Sequence, residues 1–176
     1  QAVLDATARR TTELIGDSCA IRLVSDDEQW LELASLYHPE AKTLEYLREM
    51  LKANPLRADT GLGGHVLQSE QAVLIPVIPQ EQLKTIVPAT AWPILERVSI
   101  HSLLVVPLRA QGRVLGTLTV TRDQPGRQYT SEDQAFLQDL ADRAALSIAN
   151  ARLYAAMQQL NNDLEQRVVE RTAQLQ

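Results

Sequence analysis

Cysteine is nearly absent from the chain: Cys19 is the only one among 176 residues. An internal disulfide and a CxxC metal or redox site are therefore excluded. No apolar run approaches the roughly 20 residues of a membrane span, and no basic-then-apolar leader opens the chain. A cytoplasmic location is expected; beginning at Gln1, the chain also reads as a piece of something longer, whose other parts could hold membrane segments. Positive charge is short as well, with 17 Lys and Arg against 22 Asp and Glu and a net charge of −5. Neither nucleic acid nor an anionic membrane would be attracted over long range, so neither is expected as a partner of this segment. What remains is an ordinary soluble composition, 45% hydrophobic and 22% charged, with length for one domain with a core plus an appendage.

The clearest local signal is Ser102 to Thr121, SLLVVPLRAQGRVLGTLTVT, two β-branched apolar runs around Gln111-Gly112. This predicts a β-hairpin. With a two-residue turn, Arg109 falls opposite Val114, Val106 opposite Thr117, Leu104 opposite Thr119 and Ser102 opposite Thr121. Alternation then places Leu103, Val105, Leu118 and Val120 on one apolar face, suited to packing helices. The other face would carry Ser102, Leu104, Val106, Thr117, Thr119 and Thr121, suited to a cavity or its lid.

Upstream, residues 2–15 have helix formers and stop at Gly16-Asp17-Ser18. Residues 19–25 and 30–37 read as a second hairpin around the acidic turn Asp26-Asp27-Glu28, a solvated one in the simplest view. Residues 39–54 are helix-prone, with Leu44, Leu47, Met50 and Leu51 at helical spacing before Pro55. Gly61, Gly63 and Gly64 precede a helical turn at 65–68, and 72–75 reads as a short strand. Residues 76–98 are the least regular part, with a short helix expected near 92–97, and suit a binding loop or lid.

Thr130-Ser131-Glu132-Asp133 is a helix start, and neither proline nor glycine follows it. The remaining ~45 residues would span roughly 65 Å as one helix, about twice the width of a small domain. Its first part carries an apolar stripe, Phe136, Leu137, Leu140, Ala144, Ile148 and Ala151. Beyond Tyr154, Met157, Leu160, Leu164, Val168 and Leu175 continue at spacings of three, four, four and seven, a coiled-coil pattern with a local stutter. Asp163 and Arg167 suit a helical ion pair. The second half must project or pair with another chain, which makes Tyr154, Met157, Leu160, Leu164 and Val168 candidates for a homodimer interface.

SLLVVPLRAQGRVLGTLTV followed by YTSEDQAFLQDLADRAALSIANARLY resembles the C-terminal half of a GAF domain. GLGGHVLQSEQAVLIP resembles that family's G-x-x-G-x-V helix and strand, and the initial helix and CAIRLVS fit in order. The resemblance covers roughly residues 1–155; the tail LEQRVVERTAQL, within 156–176, resembles the signalling helix that leads to the next module in bacterial sensor kinases. It implies an α+β fold: a central antiparallel sheet of five or six strands, the terminal helices on one face, and a ligand cavity under loops on the other. Fold does not settle ligand or function.

The candidate site residues are Arg22, His65, Trp92, His101, Ser102, Leu104, Val106, Thr117 and Thr119. Arg22 would be the anchor for an anionic ligand if it faces the cavity; otherwise it is a solvated strand arginine. Trp92 fits a lid over the pocket or a pin holding the loop to the core. Thr117 and Thr119 are expected to line the pocket. His65 or His101 could ligate haem iron or a metal, but no second ligand stands at metal spacing, and His38-Pro39 reads as a loop. Cys19 lies at the start of the first strand, whereas bilin-binding relatives attach their chromophore well after it, so a small core residue is favoured there. The family's free methionine sulfoxide reductases depend on several cysteines, its cyclic-nucleotide binders on an NKxnFxxxDE signature absent here, and GLGG lacks a P-loop's Lys-Ser/Thr. The expectation is a non-enzymatic sensory domain of a bacterial signalling protein, a histidine kinase first of all, that binds an unidentified small molecule, joins flanking domains and relays through dimeric helices. The alternatives are a ligand-free dimerising spacer and, behind it, a haem or metal sensor.

Overall fold

The computed structural model describes residues 1–86, 89, 92–95 and 97–174. Helix α1 (Ala2–Ile15) leads into strands β1 (Ser18–Val24) and β2 (Trp30–Tyr37), helix α2 (Ala41–Ala53) and strand β3 (Leu56–Arg57). Helix α3 (Gly61–Ser69), strand β4 (Val73–Ile75) and helices α4 (Gln80–Ile86) and α5 (Trp92–Leu95) precede the central hairpin, β5 (Ser102–Ala110) and β6 (Arg113–Arg122). Helix α6 (Ser131–Gln174) follows. The six strands form one sheet in the order β3-β2-β1-β6-β5-β4, and all neighbours are antiparallel. The expected α+β architecture is thus present. Strand β3 and helix α4 have no counterpart in the sequence-based expectation, and the short helix expected over 92–97 is α5, with residue 96 outside the described residues.

The β5–β6 turn is at Gln111-Gly112, both with positive φ (53° and 72°), the backbone of a type I′ turn whose twist matches that of the strands. Arg109 pairs with Val114 as expected, but the ladder then shifts, and Leu108 pairs with Gly116, Val106 with Leu118, Leu104 with Val120 and Ser102 with Arg122. Leu115 is the extra residue of a β-bulge. One inserted residue changes the facing of one strand relative to the other. The expected partition therefore holds for β6 and is reversed for β5. Leu104, Val106, Leu108, Leu118 and Val120 pack together under the terminal helices, while Leu103 and Val105 belong to a cluster on the opposite side with Val66, Ile78 and Leu83.

Under the helices, Ile21 and Cys19 of β1 join Leu4, Ala8 and Ile15 of α1 and Leu137, Ala141, Ala144, Ala145 and Ile148 of α6. Thr130 and Asp133 cap α6 reciprocally: the Asp133 N–H donates to the Thr130 hydroxyl (3.2 Å) and the Thr130 N–H to the Asp133 carboxylate (2.8 Å), closing two end groups that the helix leaves open. Phe136 and Ala151 of the expected stripe are exposed, and Ala141 and Ala145 take part in their place. From residue 150 onward every described side chain is exposed, so the C-terminal part of α6 stands clear of the body for roughly 36 Å at 1.5 Å per residue. Leu175 lies outside the described residues.

Candidate functional site

On the face away from the terminal helices the described residues do not form one continuous packed layer. Two apolar clusters stand apart there. One gathers α2 and β2 around Leu36, Leu47 and Val98, and the other gathers α3, α4 and β5 around Val66, Leu83 and Val105. Between them lies a cavity of about 560 Å³, floored by Ser18, Ala20 and Arg22 of β1, Leu103 and Val105 of β5, and Thr117, Thr119 and Thr121 of β6. That size is typical of small-molecule sites, and so is its lining of apolar walls with few polar groups.

Strand alternation explains the floor. Arg22 shares a face of β1 with Ser18 and Ala20, and it pairs across the ladder with Thr117, while Ala20 pairs with Thr119. Arg22 is only 5% exposed, and among the described residues its guanidinium makes one hydrogen bond, from Nη1 to the Leu31 carbonyl at 3.2 Å. Burial lowers its pKa to about 10, because the charged form loses its hydration. Arg57 also lines the cavity, but its charge is engaged: Nε and Nη2 each donate to the Asp59 carboxylate at 2.8 Å. Among the described residues no Asp or Glu lines the cavity.

The other candidate residues are dispersed. Leu104 and Val106 face the terminal helices and are corrected out of the cavity by the Leu115 bulge. Ser102 is buried on that same side, where its hydroxyl donates to the Ile75 carbonyl (3.2 Å) and accepts the Tyr129 N–H (3.0 Å); it is a structural bridge between β4 and the approach to α6. His65 is exposed on α3, and His101 is half-buried just before β5, its backbone bonded to Ile78 and Arg122. Neither histidine lines the cavity. Trp92 is 39% exposed and packs on α4, with Nε1 donating to the Lys84 carbonyl (3.2 Å) and the Lys84 ammonium 5.4 Å from the ring centre. That placement fits the pin rather than the lid. Sequence reasoning missed Leu103 and Val105 because of the bulge, and Leu47 and Leu51 because their helical stripe looks like any core stripe.

Cys19 is fully buried on the helix side of the sheet, remote from the cavity floor by strand alternation. Burial pushes its thiol up to about 12, and burial likewise pushes the Tyr129 phenol up. In the unfolded chain the thiol ionises near 9. Its contribution to stability is then complete below pH 9 and is lost as pH rises toward about 12, because the unfolded state releases the proton first. The free energy of unfolding is expected to fall above pH 9 with a slope approaching ~1.4 kcal/mol per pH unit. Urea titrations at successive pH values check this, and Cys19→Ala should flatten the slope just above pH 9.

The sequence model of the GAF domain matches residues 1–148. The chain belongs to the GAF domain family. It is 35% identical over 80 residues to the circadian input-output histidine kinase CikA of Synechococcus elongatus, a match that covers 46% of this chain and 11% of that kinase. The matched stretch is thus about a tenth of that relative's length. Among solved structures, the GAF domain of a phosphoenolpyruvate-protein phosphotransferase from Coxiella burnetii superposes with a TM-score of 0.68 at 25% identity, covering 87% of this chain and 84% of that one. The free methionine-R-sulfoxide reductase of Thermoplasma acidophilum shares the fold, with a TM-score of 0.60 at 18% identity over 82% of this chain and 87% of that one. Regions similar to this GAF domain therefore occur in histidine kinases, and the fold itself is also used by an enzyme. Among the described residues no helix is long and apolar enough to cross a membrane.

Proposed function

We propose that this GAF domain is a sensory module of a bacterial signalling protein, a histidine kinase by its relatives, that binds a small molecule between the sheet and helices α2 to α5. Residues 1–155 form the sensing body and 156–176 the signalling helix, the whole lying in the cytoplasm. The cavity of about 560 Å³, kept open between two packed clusters instead of being collapsed, carries this reading. A ligand that fits one arrangement of α2 to α5 better than another shifts their populations, and β1 and β6 carry the shift through the sheet to the terminal helices. The helices of two chains pair, and the ligand biases that pairing.

A thermal-shift panel of metabolites on the 176-residue chain tests the sensing half. At least one compound is expected to raise the unfolding midpoint by several degrees, as mass action requires of any ligand at many times its Kd. The effect should vanish in Thr119→Trp, which fills the floor. A panel in which no compound acts on the natural chain more than on the filled one would leave the spacer reading, which the exposed apolar side chains of α6 favour independently.

A further inference from the structure

The unusual group in the cavity is a cation that no described residue balances. A guanidinium carries five N–H donors, and Arg22 uses one of its nitrogens on a neutral carbonyl. Among the described residues it has no ion pair, and among them no carboxylate lines the space it faces. A buried charge is ordinarily paired, because desolvation is costly without a counter-charge. A floor position that only had to pack would be served better by an apolar residue of the same size. The remaining donors of Arg22 are thus open to a group that the described residues do not supply.

The surroundings narrow that group. Thr117, cross-strand from Arg22, is 1% exposed, and neither its hydroxyl nor that of Thr119 has a hydrogen-bond partner among the described residues. Both line the same cavity as Arg22, and hydroxyls can donate to a ligand's anionic oxygen. The walls are apolar: Leu31, Leu36, Leu47, Leu51, Leu62 and Val98. Arg57 is held by Asp59, so among the described residues the unbalanced charge of the lining is a single positive one. A phosphate monoester with two charges would bring one more negative charge than the site can balance, whereas one carboxylate matches it.

We propose that the cavity binds an apolar monocarboxylate, its carboxylate held by the Arg22 fork and the Thr117 and Thr119 hydroxyls and its hydrocarbon body against the leucines of β2 and α2. The proposal rests on the sensory reading above and specifies the ligand class for it. A neutral compound of the same shape satisfies the walls but leaves Arg22 unpaired, so discrimination is expected between an acid and its own amide.

Isothermal titration of the 176-residue chain with octanoate and phenylpropionate, each against its primary amide, tests it without any variant. Each acid is expected to bind at least ~10-fold tighter than its amide. In Arg22→Gln the acid should weaken by at least ~10-fold while the amide is unchanged, and Arg22→Lys should fall between, since it keeps the charge without the fork. Amides that bind as tightly as acids, or acids held equally by Arg22→Gln, would overturn the ligand class yet leave the sensory reading standing if Thr119→Trp abolishes the binding. If neither acids nor amides bind, the class is overturned as well, and the metabolite panel alone decides the sensory reading.

Discussion

Gly116→Ala is expected to destabilise the domain by about 3–5 kcal/mol, a large share of the total stability of about 5–15 kcal/mol typical of a domain. A Cβ on Gly116 would sit inside contact distance of the Arg22 carbonyl oxygen, with the Arg22 carbonyl carbon and the Leu23 Cα each at 2.9 Å. These are backbone atoms of a paired central strand, so no rotamer change relieves the clash. β1 and β6 must separate, and their ladder from Ser18↔Thr121 to Leu23↔Gly116 holds the middle of the sheet. Gly112→Ala provides the contrast. It has open space around its Cβ position but a φ of +72°, so it should cost only about 1 kcal/mol in backbone strain. Urea unfolding of the two variants separates close approach from conformational freedom, and a Gly116→Ala protein within ~1 kcal/mol of the natural one would show that the strands yield. The same close approach sets the position of Arg22, whose carbonyl meets Gly116 and whose guanidinium reaches toward the cavity floor.

That coupling marks the limit of what could be read from residue order. The hairpin turn, the capped helix and the α+β plan follow from local rules: positive-φ residues at Gln111-Gly112, a Thr-x-x-Asp box at Thr130, an apolar stripe from Leu137 to Ile148. The bulge at Leu115 has no such local mark, because Val114, Leu115 and Leu118 are all plausible at either facing of a strand buried on both sides. Assigning Leu104 and Val106 to the cavity followed from counting pairs without it. Thr117 and Thr119 line the cavity face expected of them, since β6 carries a threonine at alternate positions and the facing shows in composition, whereas residue order leaves the facing of Arg22 open between the cavity and solvent. Strand β3 has two residues and α4 one short stretch among prolines; both exist through contacts with distant parts of the chain, which single-sequence patterns do not register.

Replacing Leu160 and Leu164 together by Glu is expected to weaken self-association by more than about a thousandfold while leaving the unfolding of the sheet body unchanged. Helix α6 presents Leu146 on the outer side of its packed part and then, along the projecting part, Asn150, Leu153, Met157, Leu160 and Leu164, spaced four, three, four, three and four. All are exposed in the single chain, and Leu160 is 62% so. Alternating steps of three and four form the seam of a two-stranded coiled coil. Burying the two leucines of each chain at ~1.5 kcal/mol or more per side chain contributes about 6 kcal/mol or more, and charged replacements add repulsion across the seam. The body is insulated because the last side chain of α6 buried against it is Ile148. Asn150 stands on the seam among apolar neighbours, the position where a polar residue fixes parallel register at some loss of stability. Asn150→Leu should therefore tighten association while admitting other registers or higher oligomers. After Leu164 the repeat breaks, since Val168 follows at four instead of three, and such a stutter locally unwinds the supercoil. In the proposed pair the seam would be regular up to Leu164 and altered toward the C-terminal end. Sedimentation at high micromolar concentration decides the matter: a natural chain that remains monomeric there would refute the paired arrangement and, with it, the route from cavity to output through α6.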